Sequence, residues 1–423
     1  MSKTDKDISQ IVYQLRGSGP VMFLESQMKG HPSSVRSFVA AEPAGWIKAW
    51  GNDIEIMQNG QVRRFQQNPW QALKEFRKPK EDWLFGYLGY DLKNQLENLQ
   101  SRNKALYKAP DMCFIKPGLI LEIDLQNRIK ILRGSLPEKY RTIQTNGVSV
   151  RPKRKIDKDK YIHLVEMAKQ DIHEGDYYEI NLSHALEFEF EGEPYELYES
   201  MKRVGPVPFG SYLYLGDYDI CCASPERFLA KKEDRVWSQP IKGTASRQVE
   251  SEKALRKLRE SEKERAENLM IVDLVRNDLS RIALKNTVQV SDLFEIQSFE
   301  TVHQMVSTVE CKVDKKEDSI EIIKACFPMG SMTGAPKISA MEAIEKYENY
   351  KRGIYSGAIG YIDPNGDFDF NVVIRTAIIQ NNDLFYPVGG AITSDSNPNE
   401  EWEETLVKAR AITNILQNSE GAE

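Results

Sequence analysis

The feature that most constrains the fold is a series of segments in which apolar and polar residues alternate. Residues 45–65, "GWIKAWGNDIEIMQNGQVRRF", alternate on both sides of an Asn-Gly pair, and residues 113–134, "CFIKPGLILEIDLQNRIKILRG", repeat the pattern. A period of two indicates strands, and Asn-Gly favours the tight turn of a hairpin. We therefore expect residues 1–150 to be rich in strand, with some helix. The stretch "RPKRKIDKDK" then breaks the periodicity and predicts a boundary between regions 1–150 and 151–423.

The C-terminal region mixes predicted helices with blocks of predicted strands. Residues 157–175 predict an amphipathic helix that ends at Gly175, residues 250–281 one long charged helix, and residues from about 399 to 417 a closing helix. The expected strands lie at 177–190, 211–224, 235–244, 355–363, 369–380 and 384–393. Strands in blocks favour antiparallel pairing. The sequence thus predicts an α+β fold with two facing, mostly antiparallel sheets flanked by helices, both regions packing as one compact unit.

Composition argues against nucleic-acid and membrane partners. The net charge is -6, whereas phosphate binding needs concentrated Lys and Arg. The sequence has no run of about 18 to 20 apolar residues, and its first residues lack the apolar stretch of a signal peptide. Five cysteines without CxxC spacing and five histidines give no zinc signature and fit buried thiols in a reducing compartment. We expect a cytoplasmic protein.

Two predicted helices each carry a pair of glutamates three residues apart. Glu264 and Glu267 share one helix face, and Glu401 and Glu404 share another. Carboxylates from two facing helices are suitable ligands for a hard divalent cation such as Mg²⁺. Acidic pairs are also common on solvated helix faces that carry Lys and Arg partners. From spacing alone, the solvated interpretation is the stronger one.

Several single residues have two interpretations each. Lys242, in "SQPIKGTASR", becomes a nucleophile if an apolar pocket or a nearby cation lowers its pKa, and it stays charged if it is exposed. Arg375 stands among apolar residues, so its partner is either an internal carboxylate or an anionic ligand. Gly389 and Gly390 allow backbone N–H groups to approach a carboxylate. His303 alone fits a core histidine.

An ordered set of motifs resembles the chorismate-utilising enzyme family, which includes the large subunits of anthranilate synthase and aminodeoxychorismate synthase and the isochorismate and salicylate synthases. The resemblance is dense from about residue 160 to 415, and "FLESQ" near the N-terminus is a weaker match. The motifs are "SPERF" (224–228), "PIKGT" (240–244), "AENLMIVDLVRND" (266–278), "VHQMVST" (302–308), "GSMTGAPK" (330–337), "RGIYSGAIGY" (352–361), "IRTA" (374–377) and "GGAITSDSNPNEEWEET" (389–405).

Within this family, "PIKGT" is similar to the aminodeoxychorismate synthases, whereas anthranilate synthases usually carry alanine at the position of Lys242. The resemblance implies that Lys242 attacks C2 of chorismate and expels the C4 hydroxyl, and that ammonia then enters at C4 and displaces the lysine. Glu226 of "SPERF" would be the general acid and base. The product would be 4-amino-4-deoxychorismate, a precursor of para-aminobenzoate and folate, and the ring would keep its enolpyruvyl group.

The resemblance also implies the binding residues. Mg²⁺ would hold the ring carboxylate through Glu267 and Glu404, with Glu264 and Glu401 supporting them. Thr244 matches a contact to the ring, and His303 matches a histidine beside the substrate. The residues that match the grip on the enolpyruvyl carboxylate are Arg375, Tyr355, Gly389 and Gly390.

Two alternatives remain from the sequence. Anthranilate synthase is the second candidate, and a non-catalytic chorismate-binding regulatory protein is a candidate of another class. Isochorismate and salicylate synthases carry a water-activating lysine in the segment that matches "GDYYEINLS", where this chain has Glu179 and no lysine, so the resemblance argues against water addition at C2. The sequence shows no glutaminase motif, so ammonia would come from solution or from a separate glutamine amidotransferase subunit.

Overall fold

The computed structural model describes residues 3–28, 30–33, 35–78, 82–136, 147–154, 157–246, 251–298 and 302–420. The helices are α1 (Lys3–Arg16), α2 (Pro69–Arg77), α3 (Lys158–Glu174), α4 (Pro194–Val204), α5 (Ser251–Glu260), α6 (Glu262–Ser280), α7 (Ser319–Cys326), α8 (Lys337–Tyr347) and α9 (Pro398–Glu420). Among the described residues, none of these helices combines the length and hydropathy that a membrane crossing requires.

The strands before residue 160 are β1 (Val21–Glu25), β2 (Ser37–Trp50), β3 (Asp53–Gln58), β4 (Gln61–Gln66), β5 (Leu84–Leu88), β6 (Lys104–Ala105), β7 (Met112–Ile123), β8 (Ile129–Arg133) and β9 (Ser149–Pro152). The later strands are β10 (Glu179–Glu191), β11 (Phe209–Tyr214), β12 (Asp219–Ser224), β13 (Arg227–Lys232), β14 (Arg235–Gln239), β15 (Ile241–Ser246), β16 (Gln289–Ser298), β17 (Val302–Lys312), β18 (Gly334–Ala335), β19 (Tyr350–Lys351), β20 (Ala358–Ile362), β21 (Phe368–Val372), β22 (Thr376–Gln380) and β23 (Asp383–Ile392).

Backbone pairing organises the strands into two half-sheets, joined where β2 and β7 are shared. The first half-sheet contains β3, β4, β5, β13, β14, β15, β16, β17, β20 and β21, and the second contains β1, β8, β9, β10, β11, β12, β18, β22 and β23. Apart from the short parallel pair of β6 and β19, the described pairings are antiparallel. The predicted α+β class with mostly antiparallel sheets is therefore confirmed.

The two shared strands carry the sheet from one half to the other. Residues 38–41 of β2 pair with β1, whereas residues 45–50 pair with β3. Between them Glu42 has φ 54°, and the register with β7 shifts between Pro43 and Gly45. Such a bulge bends a strand and increases its twist. The two half-sheets are consequently one continuous hydrogen-bonded network of 21 strands.

Apolar side chains fill the space between the half-sheets and the space under the helices. Phe38, Tyr87, Ile220 and Ile378 belong to the cluster between the half-sheets and are at most 1% exposed. Separate clusters pack α2, α6 and α7 on the first half-sheet and α1, α4 and α9 on the second. Each fully buried side chain of this size contributes about 1.5–3 kcal/mol. The helices thus flank two facing half-sheets, as the sequence predicted.

Strands on the two sides of residue 150 pair with each other. β1 pairs with β11, and β5 pairs with β20. These ladders join the two regions and mark no separation between them. The boundary between 1–150 and 151–423 therefore stays a prediction. All five cysteines are buried free thiols, as expected.

The predicted turn at Asn59 and Gly60 and the predicted end of α3 at Gly175 are confirmed. Asn59 and Gly60, between β3 and β4, have φ values of 52° and 74°, as the predicted hairpin turn requires. The Asp157 side chain accepts a hydrogen bond from Lys160 N at the start of α3, and Gly175 ends that helix with φ 92°.

Four predicted segments are each divided in two. The segment 211–224 is divided into β11 and β12 by a turn at Gly216, which has φ 93°. The long charged helix is divided into α5 and α6, since the Ser261 side chain caps α6 by accepting from Glu264 N. The segment 235–244 is divided at Pro240, which has no N–H for a ladder. The segment 369–380 is divided near Arg375, which has φ 50°.

Candidate active site

The residues predicted to carry chemistry come from both half-sheets and from two helices. Lys242 lies on β15 of the first half-sheet, and Gly389 and Gly390 lie on β23 of the second. Glu226 lies between β12 and β13, and helices α6 and α9 supply the glutamate pairs. Helix α6 packs against β15, and α9 packs against β23. The structure therefore brings most of the predicted residues to the junction of the half-sheets.

A bulge in β15 sets the position of Lys242. The register with β17 shifts between Lys242 and Thr244, and Gly243 has φ 73°. A Cβ at Gly243 would lie 2.9 Å from Glu264 Oε2, so a larger residue would both strain the backbone and collide with α6. The confined sequence around Lys242 thus has a structural cause, because a bulge re-aims the neighbouring side chain.

The Lys242 amine is surrounded by carboxylates. Its Nζ lies 2.9 Å from Glu179 Oε1 and 3.7 Å from Glu267 Oε2, and the side chain is 11% exposed. Burial lowers the pKa of Lys242, but Glu179 and Glu267 outweigh burial and raise that pKa above its ordinary value. Neither environment considered from the sequence is present, because Lys242 is neither exposed nor in an apolar pocket. It is a buried ammonium held by acids.

Glu226 has the environment of a general acid. It is 6% exposed, and burial raises its pKa to about 7, although Ser331 and Lys242 partly offset that effect. Its backbone is fixed on both sides, since Glu226 N donates to Ser224 Oγ at 3.2 Å and Val372 N donates to Glu226 O at 3.0 Å. A carboxyl with a pKa near 7 can both donate and accept a proton at neutral pH.

The two glutamate pairs face each other across α6 and α9. Lys263 Nζ lies 3.6 Å from Glu401 Oε1 and 3.9 Å from Glu267 Oε1, so one amine contacts both helices. Burial raises the pKa of Glu267 to about 7, and burial together with neighbouring glutamates raises the pKa values of Glu264 and Glu401. Glu267 and Glu401 are 12% and 4% exposed and do not fit the solvated-face interpretation that spacing alone favours. Glu404 does fit it, because its side chain is 51% exposed and pairs with Lys408.

The donor set fits a hard divalent cation. Carboxylates outnumber amines at the junction of α6, α9 and β15, and their mutual repulsion is relieved by added positive charge. In the part of the chain that the structure describes, no three His, Cys, Asp or Glu side chains form a ready-made metal centre. Binding would therefore draw the carboxylates together and displace lysine contacts such as that of Lys263.

Arg375 is a buried cation whose pKa is lowered by burial and raised only in part by the nearby Glu226 carboxyl. It connects β21 to β22 with φ 50°, and its backbone oxygen accepts from Ala223 N at 3.1 Å. Within the described residues, its guanidinium forms no ion pair or side-chain hydrogen bond. Of the two partners considered from the sequence, this environment favours an anionic ligand over an internal carboxylate.

The glycine pair on β23 lies beside the acidic cluster. A Cβ at Gly389 would lie 2.3 Å from Leu182 O of the adjacent strand β10, so only glycine permits this approach. A Cβ at Gly390 would lie 3.3 Å from Glu401 Oε2. Lys408 Nζ donates to Gly389 O at 2.7 Å and pairs with Glu404 at 2.7 Å. Lys408 thus joins the glycine pair to α9.

The remaining predicted residues have varied positions. Tyr355 is 2% exposed, and burial raises the pKa of its hydroxyl. His303 is 3% exposed on β17, and its Nδ1 lies 2.8 Å from Ser298 Oγ, as for a core histidine with a polar partner. The backbone of Thr244 pairs opposite Gln304, and its side chain lies outside the described residues.

Lys263, Lys408 and Glu179 lie at the site but were not predicted from the sequence to take part in it. The two lysines stand four residues from Glu267 and Glu404, so helical spacing could have found them. Glu179 is 63 residues from Lys242 and lies on the other half-sheet, so no local signal could connect them.

Comparisons with known proteins agree with this geometry. Residues 19–414 match the chorismate binding enzyme family. Aminodeoxychorismate synthase component 1 of Salmonella typhimurium is 33% identical over 80% of this chain and 78% of its own. Aminodeoxychorismate synthase of Streptomyces griseus is 42% identical over 62% of this chain, and the match spans only 37% of that longer protein. The structure of anthranilate synthase component I from Streptococcus pneumoniae matches this chain with a TM-score of 0.78 and 29% identity. The match covers 91% of this chain and 93% of the Streptococcus chain.

The chain therefore belongs to the chorismate binding enzyme family. The resemblance seen in the motifs is confirmed. The relatives include both aminodeoxychorismate synthases and an anthranilate synthase component I, which are the first and second candidates from the sequence.

Proposed function

We propose that this chain is the synthase component of an aminodeoxychorismate synthase, which converts chorismate and ammonia to 4-amino-4-deoxychorismate on the route to para-aminobenzoate and folate. The observation that carries the proposal is the buried amine of Lys242, which lies among acidic groups at the junction where the motifs converge. The Salmonella and Streptomyces relatives that bear this name support it.

The chain's own residues supply the groups that the reaction needs. Arg375 and the amides around Gly389 and Gly390 bind the enolpyruvyl carboxylate. The Lys242 ammonium first loses a proton to solvent and becomes a neutral amine. Glu226 protonates the C4 hydroxyl, which leaves as water while that amine forms a bond to C2 and the two ring double bonds shift. Ammonia then forms the C4–N bond, the C2–N bond breaks, and Lys242 leaves with its electron pair. The carbon skeleton keeps its enolpyruvyl group, so no pyruvate is released.

Mg²⁺ is the proposed cofactor. Glu267 and Glu404 would hold it directly, with Glu264 and Glu401 beside them. When bound, the cation neutralises the ring carboxylate and lowers the cost of placing that anion among acidic groups. The excess of carboxylates over amines supports this assignment.

The proposed partner is a separate glutamine amidotransferase that supplies ammonia. The component 1 name of the Salmonella relative implies a second component there. We also propose a cytoplasmic location, in keeping with five buried free thiols.

Anthranilate synthase component I remains the second candidate, because the Streptococcus structure superimposes over nearly the whole chain. Incubation of the purified chain with chorismate, Mg²⁺ and ammonium salt, followed by mass analysis and a pyruvate assay, separates the candidates. We expect an amine product without pyruvate. Anthranilate with stoichiometric pyruvate would transfer the assignment to the second candidate, and bound chorismate without turnover would favour a regulatory protein.

Removal of the metal is expected to stop turnover. After treatment with EDTA, the rate of amination should fall to background, and Mg²⁺ should restore it. Glu267→Gln should weaken the response to Mg²⁺ by about 10-fold or more, because one anionic ligand is lost. Glu187→Gln, on a glutamate of β10 that pairs with Arg154, is the control. Full turnover in EDTA would contradict the metal assignment.

The pH dependence should report Glu226. Its pKa of about 7 means that the carboxyl is mainly protonated below that pH and loses its proton above it. At fixed free ammonia, kcat/KM for chorismate should therefore fall as the pH rises above about 7. Glu226→Gln should remove this limb and lower kcat/KM by about 10²–10⁴-fold. If Glu226→Gln still shows the decrease in kcat/KM above about pH 7, another group is responsible for that decrease.

A further inference from the structure

The contact between Lys242 and Glu179 joins the two half-sheets at the site. Lys242 lies on β15 of the first half-sheet, and Glu179 begins β10 of the second. The two side chains are 11% and 2% exposed, and the distance from Nζ to Oε1 is 2.9 Å. A charge-assisted hydrogen bond of this length between buried groups fixes direction as well as distance.

The backbone of Glu179 is held more firmly than the Lys242 amine. Glu179 pairs with Ala335 of β18, and the Tyr178 and Asn181 amides donate to Ala335 O and Thr333 O at 2.7 and 2.8 Å. A Cβ at Gly334 would lie 2.0 Å from Glu179 O, so the approach of β18 depends on glycine. Lys242, by contrast, reaches the site through a long flexible side chain. The carboxylate thus sets where the amine lies.

Among the described residues, the other acid in ion-pair contact with the amine is less suited to hold it in place. Glu267 Oε2 is 3.7 Å from Lys242 Nζ, which is too far for a hydrogen bond. Glu267 also belongs to the glutamates assigned to Mg²⁺. In the described residues, Glu179 Oε1 is therefore the hydrogen-bond acceptor that fixes the amine.

The second oxygen of Glu179 is unpaired among the residues that the structure describes. Oε2 is buried and accepts no hydrogen bond from the described residues. An unpaired buried acceptor costs about 1–3 kcal/mol. Glu179 Oε2 therefore offers the Lys242 amine a second acceptor on the same carboxylate. The amine can use this acceptor as it turns towards and away from a substrate.

We propose that Glu179 is the positioning residue for the nucleophile, holding the Lys242 amine at the junction of the half-sheets in line for attack on C2. This inference rests on the proposed function. In the sequence, Glu179 argues only against water addition, whereas its contacts in the structure give it a role of its own.

The test compares covalent capture with substrate binding. Glu179→Ala, Glu179→Gln and the control Glu187→Ala, on the same strand, are mixed with chorismate and Mg²⁺ without ammonia. Intact-mass analysis then follows the lysine adduct over time, and protein fluorescence gives the chorismate affinity. Thermal unfolding establishes that each variant is folded.

We expect Glu179→Ala to slow adduct formation by about 10²-fold, the cost of a reacting group misplaced by about 1 Å, with chorismate affinity within about 3-fold. Glu179→Gln keeps an oxygen acceptor in place and should remain within about 5-fold of the unaltered protein. The Glu187→Ala control should react at the unaltered rate.

Three results would overturn the inference. Adduct formation by Glu179→Ala at the full rate would remove the positioning role. Equal loss in the Ala and Gln variants would assign the effect to charge instead of position, and a parallel loss of chorismate affinity would make Glu179 a substrate contact. If the unaltered protein forms neither adduct nor amine, the proposed function itself fails and the inference fails with it.

Discussion

Replacement of Lys242 by alanine is expected to reduce formation of 4-amino-4-deoxychorismate by at least about 10³-fold, because the variant lacks the nucleophile and only direct addition of ammonia remains. The covalent adduct should disappear altogether. The measurement is the rate of amine product by mass analysis at saturating chorismate and ammonium. Pyruvate should be assayed in parallel, since alanine is the residue that anthranilate synthases usually carry here.

A matched variant separates the nucleophile from the ion pair. Lys242→Arg keeps a cation beside Glu179 and Glu267, but a guanidinium does not lose its proton in a protein. It should be as inactive as Lys242→Ala while retaining more of the thermal stability. Full amine production by either variant would refute the covalent route, and full production by Lys242→Arg alone would leave only an electrostatic role for the residue.

Replacement of Arg352 by methionine is expected to lower the free energy of unfolding by about 3–5 kcal/mol, because it leaves a buried carboxylate without its counter-ion. Arg352 and Glu348 are each 1% exposed, with Nη2 2.6 Å from Oε1 and Nε 2.8 Å from Oε2. The guanidinium also donates to Met332 O and Asn181 O at 2.6 and 2.7 Å. Urea unfolding followed by circular dichroism gives the change.

The chain provides an exposed counterpart for this experiment. Arg256 and Glu260 have the same spacing of four residues and a distance of 2.9 Å, but their side chains are 77% and 62% exposed. Arg256→Met should change the free energy of unfolding by no more than about 1 kcal/mol. Similar losses in the two variants would mean that burial does not determine the value of the Arg352 pair.

Local patterns in the sequence predicted the parts of the fold that local forces determine. The Asn59-Gly60 turn and the Gly175 end of α3 both depend on residues within one turn of each other. The breaks at Pro240 and Arg375 were missed because the flanking residues alternate as in a single strand, although proline itself was a warning.

The residues of the candidate site could be predicted from the sequence, but their contacts and pKa shifts could not. Motif order and helical spacing identified Lys242, Glu226 and the glutamate pairs. The carboxylate beside Lys242 could not be predicted, since Glu179 reaches it only when the two half-sheets meet. The sign of the pKa shift of Lys242 depends on that contact, and it is the opposite of what an apolar pocket would produce.

The two strands that continue from one half-sheet into the other also limit how the protein can move. Because β2 and β7 pair on both sides of the bend at Glu42, a rigid-body rotation of two lobes would have to break backbone ladders. Hinge closure of the kind seen in two-lobed enzymes is therefore not available to this architecture. Substrate must be admitted and enclosed by small shifts of the elements around the site, such as α6 and β15. The outer dimensions of the protein in solution should accordingly stay the same with and without chorismate.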